Sequence, residues 1–176
     1  MKKLIIFALA LFVMANVFAQ TPEEIKASKA RSAKMEKLVD MPKSSGMITI
    51  DGLVASCSAI AVNSVKITPL LQKVYYGSLG QNNDGVIDAS VKKPTIEEVS
   101  ELNDRVTKQI SLIKDAALIL PVVTLEAKSI RNPLKMIAPL SCVKYSKQVL
   151  SIAGEESAFQ AKIIAEVMKT LKKGKK

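Results

Sequence analysis

The stretch TIEEVSELNDRVTKQISLIKDAA, Thr95 to Ala117, decides the fold class. Val99, Leu102, Val106, Ile110, Ile113 and Ala117 recur at helical steps, and Glu, Asp, Arg and Lys fill the faces between them. That spacing is an amphipathic helix with one apolar stripe to bury. Thr95 and Glu98 stand at capping-box spacing, so the helix has a defined start. Pro121 is expected to kink or break it, because proline removes a helical N–H and crowds the preceding turn. Val122–Ile130 then continues as helix until Arg131-Asn132-Pro133.

Upstream, Leu53, Cys57, Ile60, Ser64, Ile67, Leu71 and Val74 form a second stripe, opening at Asp51 or Gly52 and closing at Gly77. Ala55, Ser56, Ser58, Ala59 and Ala61 are small and allow another helix to approach closely. Pro69 predicts a kink or a restart with Thr68 as cap, and short strands compete at Met47–Ile50 and Val62–Ile67. Downstream, Leu134, Ile137, Cys142, Tyr145, Val149 and Ile152 make a third stripe. Gly154 is expected to separate it from a last helix carrying Phe159, Ile163, Ile164, Val167, Met168 and Leu171.

Near the N-terminus, Thr21-Pro22-Glu23-Glu24 reads as the start of a polar helix reaching about Val39. Its weak stripe of Ile25, Ala30, Met35 and Leu38 predicts a lightly packed arm, and Met41–Gly46 predicts a linker. Long stripes with short joints and no series of strands predict an all-α fold: an antiparallel up-and-down helical bundle of about four or five helices with an N-terminal helical arm. The expected division is a signal peptide over 1–19, arm and linker over 20–46, and the bundle with a Lys-rich tail over 47–176.

The signal peptide rests on Met1-Lys2-Lys3, the apolar run Leu4 to Val13, and Val17-Phe18-Ala19 with small residues at −3 and −1. This resembles a bacterial Sec signal cleaved after Ala19, which predicts a periplasmic or secreted protein. No later stretch is expected to span a bilayer, which needs about 20 apolar residues.

The chain carries 26 Lys+Arg against 16 Asp+Glu, a net charge of +10, which falls to +8 without Lys2 and Lys3. Absence of His excludes histidine triads, Cys-His dyads and His-ligated zinc. Absence of Trp and a 4% aromatic content leave little to stack single-stranded nucleic acid. For an exported chain the basic excess therefore points away from nucleic acid. It suits an envelope or extracellular protein partner, an anionic polymer, or lipid head groups. Lys169, Lys172, Lys173, Lys175 and Lys176 are the candidate anionic-surface residues.

Cys57 and Cys142 form either one disulfide or two small buried thiols. The loop Gln81 to Asp88 resembles the middle of an EF-hand or dockerin calcium loop, which makes Asn82, Asp84 and Asp88 candidate ligands. The outer positions are occupied by Gly80 and Val91, however, and Asn-Asp-Gly is a turn former by itself. Ser-x-x-Lys at Ser90, Ser111 and Ser141 lacks the accompanying Ser-Asp-Asn and Lys-Thr-Gly motifs of penicillin-binding enzymes. Glu23/Glu24, Glu97/Glu98 and Glu155/Glu156 are read as acids at helix starts, complementing the helix dipole. Tyr75, Tyr76 and Tyr145 are read as core or rim. No cofactor is expected. The functional expectation is a non-catalytic binding domain of the cell envelope, with attachment to an anionic surface through the basic tail as the alternative and a His-independent hydrolase behind both.

Overall fold

A computed structural model describes residues 22–173. They form four helices, α1 Pro22–Glu36, α2 Ile48–Ser78, α3 Ile96–Lys128 and α4 Pro133–Lys173. The three long helices have 31, 33 and 41 residues, or about 46, 50 and 62 Å at 1.5 Å per residue. Side-chain pairs fix their directions. Thr49 bonds Glu126 and Ile60 bonds Gln109, so α3 runs antiparallel to α2. Cys57 meets Ser146 and Thr68 meets Glu156, so α4 runs parallel to α2. Glu24 meets Lys162 and Arg31 meets Glu156, so α1 is antiparallel to α4. The result is an up-and-down helical bundle, with α1 lying on α2 and α4.

Two apolar clusters fill it. One holds Met35, Leu53, Cys57, Ile60, Val123 and Val149 near the α3–α4 connection. The other holds Ile67, Leu71, Val99, Leu102, Phe159 and Ile163 towards the opposite end. Between them lies a polar layer drawn from all four helices: Ser28, Ser64, Thr68, Gln109, Glu156 and Gln160, each buried.

The predicted cap of α3 is present, with Thr95 Oγ1 accepting from the Glu98 amide at 3.1 Å and the Thr95 amide donating to Glu98 Oε2 at 2.7 Å. Met47–Ile50 is not a strand: α2 already begins at Ile48. Asp51 holds this start by accepting from the Ser45 amide and the hydroxyls of Ser44 and Ser45. Val62–Ile67 is helical as well. Nor do Pro69, Pro121 or Gly154 interrupt their helices. A proline φ is compatible with helix, and the loss of one hydrogen bond is offset by the faces buried on both sides. At Gly154 the penalty of about 1 kcal/mol relative to Ala is opposed by burial of Leu150, Ala153 and Ser157 around it.

Two further expectations change. The arm is not lightly packed, because α1 buries Ile25, Ser28 and Met35. And α2 is long and apolar enough to cross a membrane by length and composition, contrary to expectation; in this fold its apolar face is the centre of the bundle.

Candidate functional site

The turn after α2 is built by Gly80 and Gly85, with φ of 68° and 79°, a region that favours glycine. It closes in an isolated bridge between Gln81 and Ile87. Asn82 Oδ1 accepts from the amides of Asp84 and Val86, each at 3.0 Å. Asp88 Oδ1 accepts from the amide and hydroxyl of Ser90 at 2.8 and 2.7 Å, and these bonds hold its carboxyl below the ordinary range. Two of the three candidate calcium ligands thus direct an oxygen at their own loop, while Asp84 is exposed at the tip. Among the described residues no group of three or more His, Cys, Asp or Glu side chains comes together.

Cys57 and Cys142 are both free and buried, so the disulfide reading is corrected in favour of its rival. Cys57 Sγ lies 3.9 Å from the Ser146 carbonyl and Cys142 Sγ 3.4 Å from the Lys43 carbonyl, so each fills a separate interface. Burial pushes both thiols above their ordinary pKa.

Lys169, Lys172 and Lys173 are exposed on the last turns of α4, where they line a shallow depression with Ala165 and Met168. Lys175 and Lys176 lie outside the described residues, as does the whole predicted signal peptide. A second shallow groove between α1 and α4 is lined by Lys34, Lys37, Lys147, Gln148 and Ser151.

The acidic pair Glu155/Glu156 is not at a helix start but in the middle of α4. Glu156 is only 2% exposed. Its Oε1 accepts from Ser28 Oγ at 2.7 Å, and from Thr68 Oγ1 and Gln160 Nε2, each at 3.3 Å. Its Oε2 takes Arg31 Nε at 2.8 Å, and the Arg31 guanidinium in turn lies over the Phe159 ring. Gln109 extends this layer into α3 by donating to Ile60 O and Ser64 Oγ, both at 2.8 Å. A carboxylate this thoroughly bonded is a staple that fixes helix register; its oxygens face protein groups rather than a cleft. The signal was present in the sequence, because Glu156 and Gln160 interrupt the stripe of Val149, Ala153 and Ile163 at helical spacing.

A different feature was missed altogether. Residues 116–125, AALILPVVTL, contain no charge. Only Ala116 and Val123 of them are buried. Leu118, Ile119, Val122 and Leu125 are exposed on the outer side of α3, and Leu134 and Ile137 are exposed on the first turns of α4. The four-residue connection Ser129 to Asn132 brings these two sets to one end of the bundle. Six large apolar side chains left exposed on two consecutive helices are more than singly scattered surface residues, and such groupings mark interaction sites.

Comparison with known protein families, curated proteins and solved structures returns no match to this chain.

Proposed function

We propose that the protein is an exported, non-catalytic helical module of the bacterial cell envelope, and that it works by presenting surface to another envelope component. The observation that carries this reading is the apolar face formed by Leu118, Ile119, Val122 and Leu125 and continued by Leu134 and Ile137. A helix that is apolar all round is ordinarily enclosed on all sides, whereas this part of α3 is covered on one side only. The polar layer around Glu156 supports the same reading, since its carboxylate is committed to holding α1, α2 and α4 together. Export rests on the Lys2-Lys3, Leu4–Val13 and Val17-Phe18-Ala19 pattern.

A photo-crosslinking amino acid in place of Val122 tests the reading in the living cell. The expected result is an adduct with an envelope component, absent when the same group replaces the exposed Glu101 on the opposite half of α3. Mass spectrometry of the purified protein is expected to find Gln20 as the first residue. Intact Met1 on protein from the cell interior, or equal labelling from both positions, removes the proposal. The basic tail is a second reading, favoured by the exposure of Lys169, Lys172 and Lys173 together. It predicts instead that adducts form from the end of α4.

A further inference from the structure

We infer that the α3–α4 end of the bundle is a lipid-contact surface, and that its ligand is the interfacial region of an anionic bilayer. The inference rests on the surface-module reading above and names the partner of that same face.

Three observations converge on this end. The first is its apolar content. Leu125 sits in the last turn of α3, while Leu134, 81% exposed, and Ile137 sit in the first turns of α4. Ile48, 92% exposed, belongs to the same end, because its neighbour Thr49 bonds Glu126 near the close of α3. At 1.5 Å per residue, Leu125, Leu134 and Ile137 all lie within about 8 Å of the connecting turn, and amphipathic helices insert about 5–10 Å into a bilayer interface. The second is charge. Lys128, Arg131 and Lys135 are exposed at the same turn and interleave with the apolar residues. Their long stems can lie along an acyl boundary while their heads meet phosphate. The nearby acids are Asp51, in the first turn of α2 and bonded to Ser44 and Ser45, Glu126, which bonds Thr49, and Asp115, at the far edge of the face. The third is position. Leu125, Leu134 and Ile137 flank the α3–α4 connection on consecutive helices with the three exposed cations among them, so one deformable surface can meet all of them together.

The alternative occupant, a second copy of this chain, is disfavoured by charge. A two-fold contact pairs a patch with itself and so sets Lys128, Arg131 and Lys135 against the same three cations.

The chain has no Trp, so a single introduced indole reports its own surroundings. The full-length protein carrying Leu134→Trp is titrated with vesicles of phosphatidylglycerol and phosphatidylethanolamine, and separately with phosphatidylcholine vesicles. The expected result is a blue shift and protection from an aqueous quencher with the anionic vesicles alone, weakening as salt is raised. Ile87→Trp, at a site 83% exposed in the turn at the far end of the bundle, is expected to stay unshifted. Co-sedimentation of the otherwise unaltered protein is expected to fall about fivefold for each of Lys128→Gln, Arg131→Gln and Lys135→Gln. It should fall more than about tenfold for Leu125→Asp combined with Leu134→Asp. Helical circular dichroism confirms that these exposed substitutions leave the fold intact.

No binding to anionic vesicles at low salt overturns the inference. So does binding that is lost on neutralising Lys169, Lys172 and Lys173 while the Leu134→Trp fluorescence never shifts, since the tail then holds the membrane. A shift in the Leu134→Trp variant that depends on protein concentration without lipid assigns the face to a second copy and overturns it too. A protein adduct from the Val122 position together with no vesicle binding overturns the lipid assignment and leaves the surface-module reading standing.

Discussion

Glu156 shows how one side chain can organise a bundle. It is an acid on an apolar stripe, and it remains buried because Ser28, Arg31, Thr68 and Gln160 meet its oxygens from three helices. Glu156→Ala removes the common acceptor and leaves Arg31 facing a core it can no longer bond. The expected loss is about 3–5 kcal/mol, read as a lower midpoint in urea unfolding, because breaking a largely buried pair strands the other charge. Ser28→Ala removes one donor and is expected to lower stability by about 1 kcal/mol. If both variants unfold at the parent midpoint, the polar layer contributes nothing to stability. The cysteines make a second statement at this scale. Their burial raises both thiols, and the thiolate is the reactive form. Alkylation of native protein at neutral pH is therefore expected to be slow at Cys57 and Cys142 and rapid at both once denaturant is added. Protection of both thiols that persists in denaturant and is released only by a reductant would restore the disulfide.

Element by element, the helices that were easiest to read carry their own punctuation. Thr95 and Glu98 close a capping box on α3, and Thr95→Ala is expected to cost about 1 kcal/mol in chemical denaturation. For α2 the start is held from outside the helix, by Asp51 reaching back to Ser44 and Ser45. Those bonds keep the Asp51 carboxyl below its ordinary value of 3.8, with the Ser44 hydroxyl the largest cause. A depressed folded-state pKa means that the stabilisation is fully present above the unfolded value and disappears as pH falls through it towards the folded one. Thermal midpoints are expected to decline below about pH 4, and Asp51→Asn should flatten that part of the curve. An identical acid limb in the variant would show that the cap carries no linkage. The prolines teach the converse. Pro69 and Pro121 read as breaks because local propensity opposes helix there. Yet residues 64–71 and 116–127 bury Ser64, Ile67, Leu71, Ala116, Val123 and Ala127 against neighbouring helices, and tertiary burial outweighs one lost backbone bond.

Across the whole molecule, α1 is the element whose fate depends most on its neighbours. It has a thin apolar stripe, yet Arg31, Ser28 and Glu24 bond Glu156 and Lys162 of α4, and the Tyr145 hydroxyl donates to Leu38 O at 2.8 Å just beyond it. Hydrogen exchange is expected to show amides of α1 protected with the core of α4 and released together with it in Glu156→Ala. Independent early exchange of α1 in the parent protein would contradict this docking.

The order of helices, the cap at Thr95, the basic excess and the stripes of α2, α3 and α4 are legible in the chain because periodicity at three and four is a local property. Directions, register and the fate of the polar residues on those stripes are not local. Glu156 and Gln160 look like interruptions until Ser28 and Thr68 are brought across to bond them. Whether Cys57 and Cys142 pair, and whether AALILPVVTL is core or surface, depended on which sides of each helix the others cover. The sequence by itself determined that this protein would be helical, since each segment carries its own amphipathic pattern. Only the tertiary structure decided that three helices share a buried carboxylate and that the bundle leaves an apolar end uncovered, because burial is a property of neighbours that lie far apart along the chain.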